Sequence, residues 1–274
     1  MIPVLISVGA AIICIVIAFI FMKIVTRKRK KEGKLTKKRQ VFITCVSALL
    51  LYVVSGSIYF SIYTHAGEKA LQYMQSDDVV KVSEVDTGYF FDGPGTENAL
   101  VFYPGAKVDE KAYAQLMHEL AADGTDCYLL SMPLHMAFMA PGKAGRVVDK
   151  GEYKNYYIAG HSLGGAMIAG YVADNADKLA GAIFLASYSI HPLPDSLSVA
   201  VINASNDGIV KWDSIKKYEK NLPKDAMQVV IEGGNHSQFG DYGFQKGDNE
   251  ATISADEQIR QTKEAIDSLI KQAS

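Results

Sequence analysis

A serine flanked by glycines, with an apolar run before it and a helix-compatible run after it, constrains this chain more than any other feature. Tyr157-Ile158-Ala159-Gly160-His161-Ser162-Leu163-Gly164-Gly165 leads directly into Ala166–Ala173. This is the pattern of a nucleophile elbow, a tight strand-to-helix turn that lifts a serine hydroxyl clear of a sheet. The turn strains the serine backbone, and a side chain at Gly160 or Gly164 would collide with the neighbouring strand or helix. The helix opening at Leu163 aims N–H groups and its positive dipole end at the reaction centre. A bare Gly-x-Ser-x-Gly arises by chance. An acid and a histidine downstream, in that order, give this one its meaning.

A serine hydroxyl is a poor nucleophile until a histidine takes its proton, and that histidine needs a carboxylate to fix its tautomer and stabilise its charge. Behind an elbow, the acid and then the histidine follow in the chain. Asp207 comes after the strand-like run Ser198–Ile202, in Asn203-Ala204-Ser205-Asn206-Asp207-Gly208; His236 comes after Met227–Ile231, in Gly233-Gly234-Asn235-His236. Asp207 could instead be a plain turn residue, with Asp213 as the substitute acid. His161 is expected to pack or bond locally rather than act as the base, and His65, His118, His135 and His191 read as solvated or structural. Attack on a carbonyl creates an oxyanion that needs preorganised donors. Those expected are the N–H of Leu163 and, after the strand Ala99–Tyr103, the N–H of Ala106, with Gly105 allowing close backbone approach. The loop Pro104-Gly105-Ala106 is alternatively a plain turn.

The average composition hides two regions. Pro3–Met22 and Val41–Tyr63 contain no charged residue, and each reaches the roughly 20 residues that cross a bilayer core. Between them, Lys23–Arg39 holds ten Lys or Arg and one Glu, so the rest of the chain carries −11 against −2 for the whole. A short basic loop stays cytoplasmic under the positive-inside rule. The expectation is therefore a two-pass hairpin in the cell membrane, with the basic loop cytoplasmic and the region after it extracellular. A cleaved signal peptide fits less well, because Met1-Ile2-Pro3 lacks a basic n-region. The inverted orientation stays open. The expected boundaries are 1–40 for the first span and basic loop, 41–65 for the second span, 66–78 for a connector and 79–274 for the catalytic domain.

Cys14 and Cys45 fall in the spans, leaving Cys127 alone in the rest of the chain, so no disulfide is expected there. Together with the anchor, this suggests a bacterial protein. The Asn-x-Ser sequons at Asn203 and Asn235 adjoin the candidate acid and base, where a glycan would obstruct the site.

From Val79 onward strands alternate with helices. The strands are expected at Val79–Val85, Thr87–Phe91, Ala99–Tyr103, Cys127–Ser131, Tyr156–Ala159, Leu179–Ala186, Leu197–Ile202 and Met227–Ile231. Helices are expected at Asp109–Ala122 and Ala255–Lys271. That alternation implies crossover connections and a mainly parallel sheet covered on both faces.

Gly105-Ala106, Gly160-His161-Ser162-Leu163-Gly164-Gly165, Asp207 and His236 together make residues 80 to 270 resemble an α/β-hydrolase. Gly233–Gly243 further resembles a group of compact bacterial α/β-hydrolases, some membrane-tethered, similar to the dienelactone-hydrolase-like branch but with serine in place of that branch's cysteine. The resemblance implies hydrolysis of an ester, thioester or amide bond through an acyl-enzyme, as in a serine esterase, and identifies no substrate beyond a small or lipid-like acyl compound. The oxyanion loop lacks the His-Gly or Gly-Gly-Gly-x pattern of typical lipases. Ser187–Ser196 is too short for the helical lid that many members of the fold carry. Met132–Ala140 is either an acyl-pocket or membrane-facing rim, or a buried turn and strand.

Acyl transfer would use the same residues, and a non-catalytic binding module on the same fold is the reading from another class. The −11 charge argues against nucleic acid. No metal-ligand spacing or phosphate-cradling glycine loop is present, so no cofactor and no metal are expected.

Overall fold

A computed structural model describes residues 37–273, which divide into two compact units, one ending at Tyr63 and one beginning at Thr64. In the first unit, helix α1 (Lys37–Ser61) covers most of the second expected span. The first span and most of the basic loop lie outside the described residues. Among the described residues no helix is long and apolar enough to cross a membrane. The sequence of α1 is nonetheless uncharged from Val41 to Ser61, and Phe42, Leu49, Leu50, Leu51, Val53 and Tyr59 of this helix are exposed.

The second unit starts with a short helix, α2 (Glu68–Gln72), inside the expected connector. One eight-stranded sheet follows, in the order β1-β2-β4-β3-β5-β6-β7-β8. Its strands are β1 (Lys81–Val85), β2 (Gly88–Asp92), β3 (Asn98–Tyr103), β4 (Thr125–Leu130), β5 (Asn155–His161), β6 (Gly181–Leu185), β7 (Ser198–Ala204) and β8 (Met227–Ile231). β1 and β2 join antiparallel, and every pairing from β4 to β8 is parallel. The parallel strands β3 to β7 are buried on both faces, which is why they read in the sequence as apolar runs, whereas the edge strand β8 exposes Gln228 and Val230.

Alternate side chains sort to two cores. Leu100 and Phe102 of β3 face the layer of α3 (Ala114–Ala122) and α7 (Ala255–Ala273), while Ala99, Val101 and Tyr103 face that of α4 (Gly145–Val148) and α5 (Leu163–Asp174). Cys127 of β4 lies fully buried in the first core as a free thiol, and burial pushes its pKa well up.

Every expected strand is present within two residues of its expected bounds. The expected helix Asp109–Ala122 begins instead as a 3-10 turn, Glu110–Tyr113, before α3 takes over; Asp109 caps it by accepting the Lys111 N–H. Helix α6 (Trp212–Tyr218) was not legible in the sequence. The Met132–Ala140 run is neither strand nor wholly buried. It forms two 3-10 turns with Met132 and Ala137 inside and Leu134, Phe138 and Met139 about half exposed. The connection from β6 to β7 carries no helix.

Candidate active site

The loops after the parallel strands carry the chemistry. β5 runs into Ser162, whose backbone sits at φ 54, ψ −119, and α5 begins at the next residue. A non-glycine residue held there costs about 1–3 kcal/mol, which the surrounding packing must hold. That packing is close: a Cβ on Gly160 would lie 2.6 Å from the Gly164 carbonyl carbon, and one on Gly164 would lie 2.2 Å from the Tyr103 carbonyl oxygen. The end of β3, the elbow and α5 thus interlock only because both positions are glycine. The Leu163 N–H, first in α5, has no intrahelical acceptor.

Asp207 and His236 meet as the sequence suggests. His236 Nδ1 lies 2.7 Å from Asp207 Oδ2, and both side chains are almost fully buried. Asp207 Oδ1 accepts the N–H groups of Ile209 and Val210, both at 2.8 Å. A carboxylate only accepts, so the proton of this pair sits on His236 Nδ1 and leaves Nε2 with a lone pair. That Nε2 is buried and has no hydrogen-bond partner, so Ser162 Oγ is not yet bonded to it. Asp213 is exposed on α6 and takes no part.

A second buried carboxylate, absent from the sequence reading, fastens the two loops together. Asp248 Oδ1 accepts the N–H groups of Gly208 at 3.0 Å, His236 at 3.3 Å and Asn249 at 2.9 Å. Its Oδ2 accepts the Ser237 N–H at 2.8 Å and the Ser237 hydroxyl at 2.6 Å. Burial alone would raise this carboxyl, but the Ser237 hydroxyl and the backbone donors hold it below the usual range. Gln258 of α7 then pins the loop from behind: its amide receives the Asn235 N–H at 2.9 Å and donates to the Asn235 carbonyl at 2.7 Å. Both sequon asparagines, Asn203 and Asn235, are buried.

His161 does not act as the base. Its Nδ1 lies 2.8 Å from the Tyr113 hydroxyl, which itself accepts the Gly105 N–H at 3.0 Å. The tyrosine therefore donates its one hydrogen to His161 Nδ1. Burial, and secondarily the facing His236, holds His161 well below the ordinary histidine range, so it is neutral. The two imidazole centroids are 4.5 Å apart. Tyr113 thus ties the Pro104-Gly105-Ala106 loop to the elbow. The Ala106 N–H lies one residue before Lys107, whose backbone is left-handed at φ 57. His118 packs against Tyr73 and Phe91. His135 sits 3.3 Å from Glu110, and His65 and His191 are exposed.

Of the residues missed in the sequence, Gln258 left a signal. It shares the buried stripe of α7 with Ile259, Thr262, Ile266 and Leu269, where a polar residue has to bond something. Asp248 and Tyr113 left none.

A family description, alpha/beta hydrolase family, matches residues 99–260, more than half of the chain. The chain belongs to the alpha/beta hydrolase family. It is an enzyme of the hydrolase class, and its sheet order, elbow and following loops are those of the fold. Among solved structures it is similar to mouse alpha/beta hydrolase domain-containing protein 10, with TM-score 0.51 at 14% identity over 71% of this chain and 99% of that one. Est1E from Butyrivibrio proteoclasticus gives 0.50 at 15% identity over 71% and 100%. Dienelactone hydrolase from Anabaena variabilis gives 0.50 at 12% identity over 69% and 98%. At such identities the likeness is one of fold. No curated protein sequence matches the chain.

Proposed function

We propose that the chain is a membrane-anchored serine hydrolase that cleaves an ester, thioester or amide bond through Ser162, His236 and Asp207. The observation that carries this reading is the buried 2.7 Å pair of Asp207 and His236, which leaves His236 Nε2 unpartnered in a chain whose elbow serine is held at positive φ. In the proposed cycle, His236 Nε2 takes the Ser162 proton as Oγ attacks the carbonyl carbon. The N–H groups of Leu163 and Ala106 hold the oxyanion. The imidazolium then gives its proton to the leaving group as the acyl-enzyme forms. Next, Nε2 deprotonates a water, which adds to the acyl carbon, and the proton returns to Ser162 Oγ as the acid departs. Asp207 keeps the tautomer and stabilises the imidazolium in both halves. The reacting bond lies in a small or lipid-like acyl compound.

The anchor reading rests on sequence. In the sequence, Val41–Tyr63 carries no charged residue and reaches the roughly 20 residues of a membrane span. The basic stretch Lys23–Arg39 before it supports a cytoplasmic loop, with the catalytic unit on the opposite face.

The test is fluorophosphonate labelling of the full-length chain in detergent, comparing wild type with Ser162→Ala and His236→Ala. Wild type is expected to label, and both variants to lose at least about a thousandfold in rate. A folded wild type that does not label would sink the triad reading. Products formed in the presence of an added alcohol separate hydrolysis from acyl transfer.

A further inference from the structure

We infer that residues 64–70, ahead of the first strand and outside the family match, are a positioning strap of the catalytic centre. The inference rests on the reading of Ala106 and His236 as catalytic groups. Thr64 forms a parallel bridge with Val108: its N–H donates to the Lys107 carbonyl at 2.7 Å, and its carbonyl accepts the Asp109 N–H at 2.8 Å. Lys107 is one of five non-glycine residues at positive φ among the described residues, and it directly follows the oxyanion donor Ala106. Its own N–H donates to the His135 carbonyl at 2.8 Å. The strained turn is therefore held from both sides, and the strap supplies one of them.

Three residues later the strap reaches the base loop. The Gly67 N–H donates to the Asp241 carbonyl at 2.7 Å, and the Ala70 N–H donates to Asp241 Oδ2 at 2.9 Å. Asp241 lies five residues after His236, beyond the 3-10 turn Ser237–Phe239, and its N–H donates to the Ala112 carbonyl at 2.8 Å. A Cβ on Gly67 would fall 2.3 Å from the Asp241 carboxylate, so only glycine admits this contact. Ala70 is fully buried, and Lys69 pairs with Asp256 at the start of α7. One short segment thus touches the loop of the oxyanion donor and the loop of the base. It contacts neither Ser162 nor Asp207, so it acts through those loops.

The experiment uses the full-length chain in detergent with a short-chain p-nitrophenyl ester, a boronic acid inhibitor and amide hydrogen exchange. Thr64→Pro removes the donor to Lys107, Gly67→Ala drives Asp241 off α2, and Thr64→Ala keeps the backbone bonds. The first two are expected to lower kcat about tenfold with KM within twofold and to weaken the boronate in proportion. Exchange at residues 106–109 should rise in Thr64→Pro and at 240–242 in Gly67→Ala, while Thr64→Ala matches wild type. Unchanged kcat and unchanged exchange in both variants would overturn the strap. A folded wild type with no Ser162-dependent turnover would overturn the hydrolase reading instead, and the exchange arm would still decide whether the strap holds the loops.

Discussion

The two halves of the site are built in opposite ways. Around Asp207 and the Nδ1 edge of His236 most polar atoms are committed: Asp207 takes two N–H groups and His236, Asp248 takes five donors across both loops, and Gln258 clasps Asn235. Around Ser162 and the Nε2 edge of His236 the groups are strained or uncommitted: Ser162 and Lys107 at positive φ, Leu163 without an intrahelical acceptor, His236 Nε2 and His161 Nε2 without partners. Committed hydrogen bonds fix geometry before the substrate arrives. Uncommitted donors in a water-poor site are held for charge that appears only in the transition state. The difference teaches which side tolerates loosening least, and substitution on each side should leave its own signature.

The largest effect is expected at Asp248. In Asp248→Asn an amide N–H would face the Ser237 N–H and hydroxyl, and the two loops would lose their shared anchor. A misplacement of about 1 Å costs on the order of a hundredfold, so kcat/KM should fall by about that much. Amide exchange at Gly208 and Ser237 should rise, because their shared acceptor is gone. Unchanged exchange with kcat/KM at the wild-type level would mean that Asp248 does not hold the two loops.

On the other side, Tyr113→Phe leaves the Gly105 N–H and His161 Nδ1 without their shared hydroxyl. Turnover should fall about tenfold, with fluorophosphonate labelling slowed alike. Amide exchange at Gly208 and Ser237 should stay at the wild-type level, since Asp248 still holds both loops. Exchange of the two variants side by side checks the contrast, and a rise at those positions in both would erase it.

The smallest effect is thermodynamic. Burial holds His161 neutral in the fold, with its pKa well below the ordinary histidine value of about 6.5. Its contribution is fully present above about pH 6.5 and is lost as pH falls toward the folded pKa, because the unfolded chain takes up a proton that the native state refuses. The loss amounts to at most about 1.4 kcal/mol per pH unit. Urea unfolding at pH 7.5, 6 and 5 should show a shallower decline for His161→Gln than for wild type. Equal slopes would place the acid sensitivity elsewhere.

The sequence carried the elbow, the strand alternation and the candidates Ser162, Asp207 and His236 because each depends on neighbours within a few residues. What it withheld is long-range. Asp248 stands in Gly247-Asp248-Asn249, which reads as a solvated turn; its burial comes from two loops closing over it. Tyr113 reads as one more aromatic on a helix, and only the 3-10 start of that helix together with the sheet brings its hydroxyl to Gly105 and His161. Thr64 gives no local sign, because a backbone bridge leaves no trace in side-chain pattern. The short β6–β7 connection was legible by length alone, whereas α6 was not, since Trp212–Tyr218 buries no residue and so has no apolar stripe.

The fully buried Cys127 has a consequence for where such a unit can work. Its thiol is raised by burial, and no other cysteine lies between Thr64 and Ser274. Folding of this unit therefore needs no oxidant, and neither alkylating agents nor peroxide find a thiolate to attack while it stays folded.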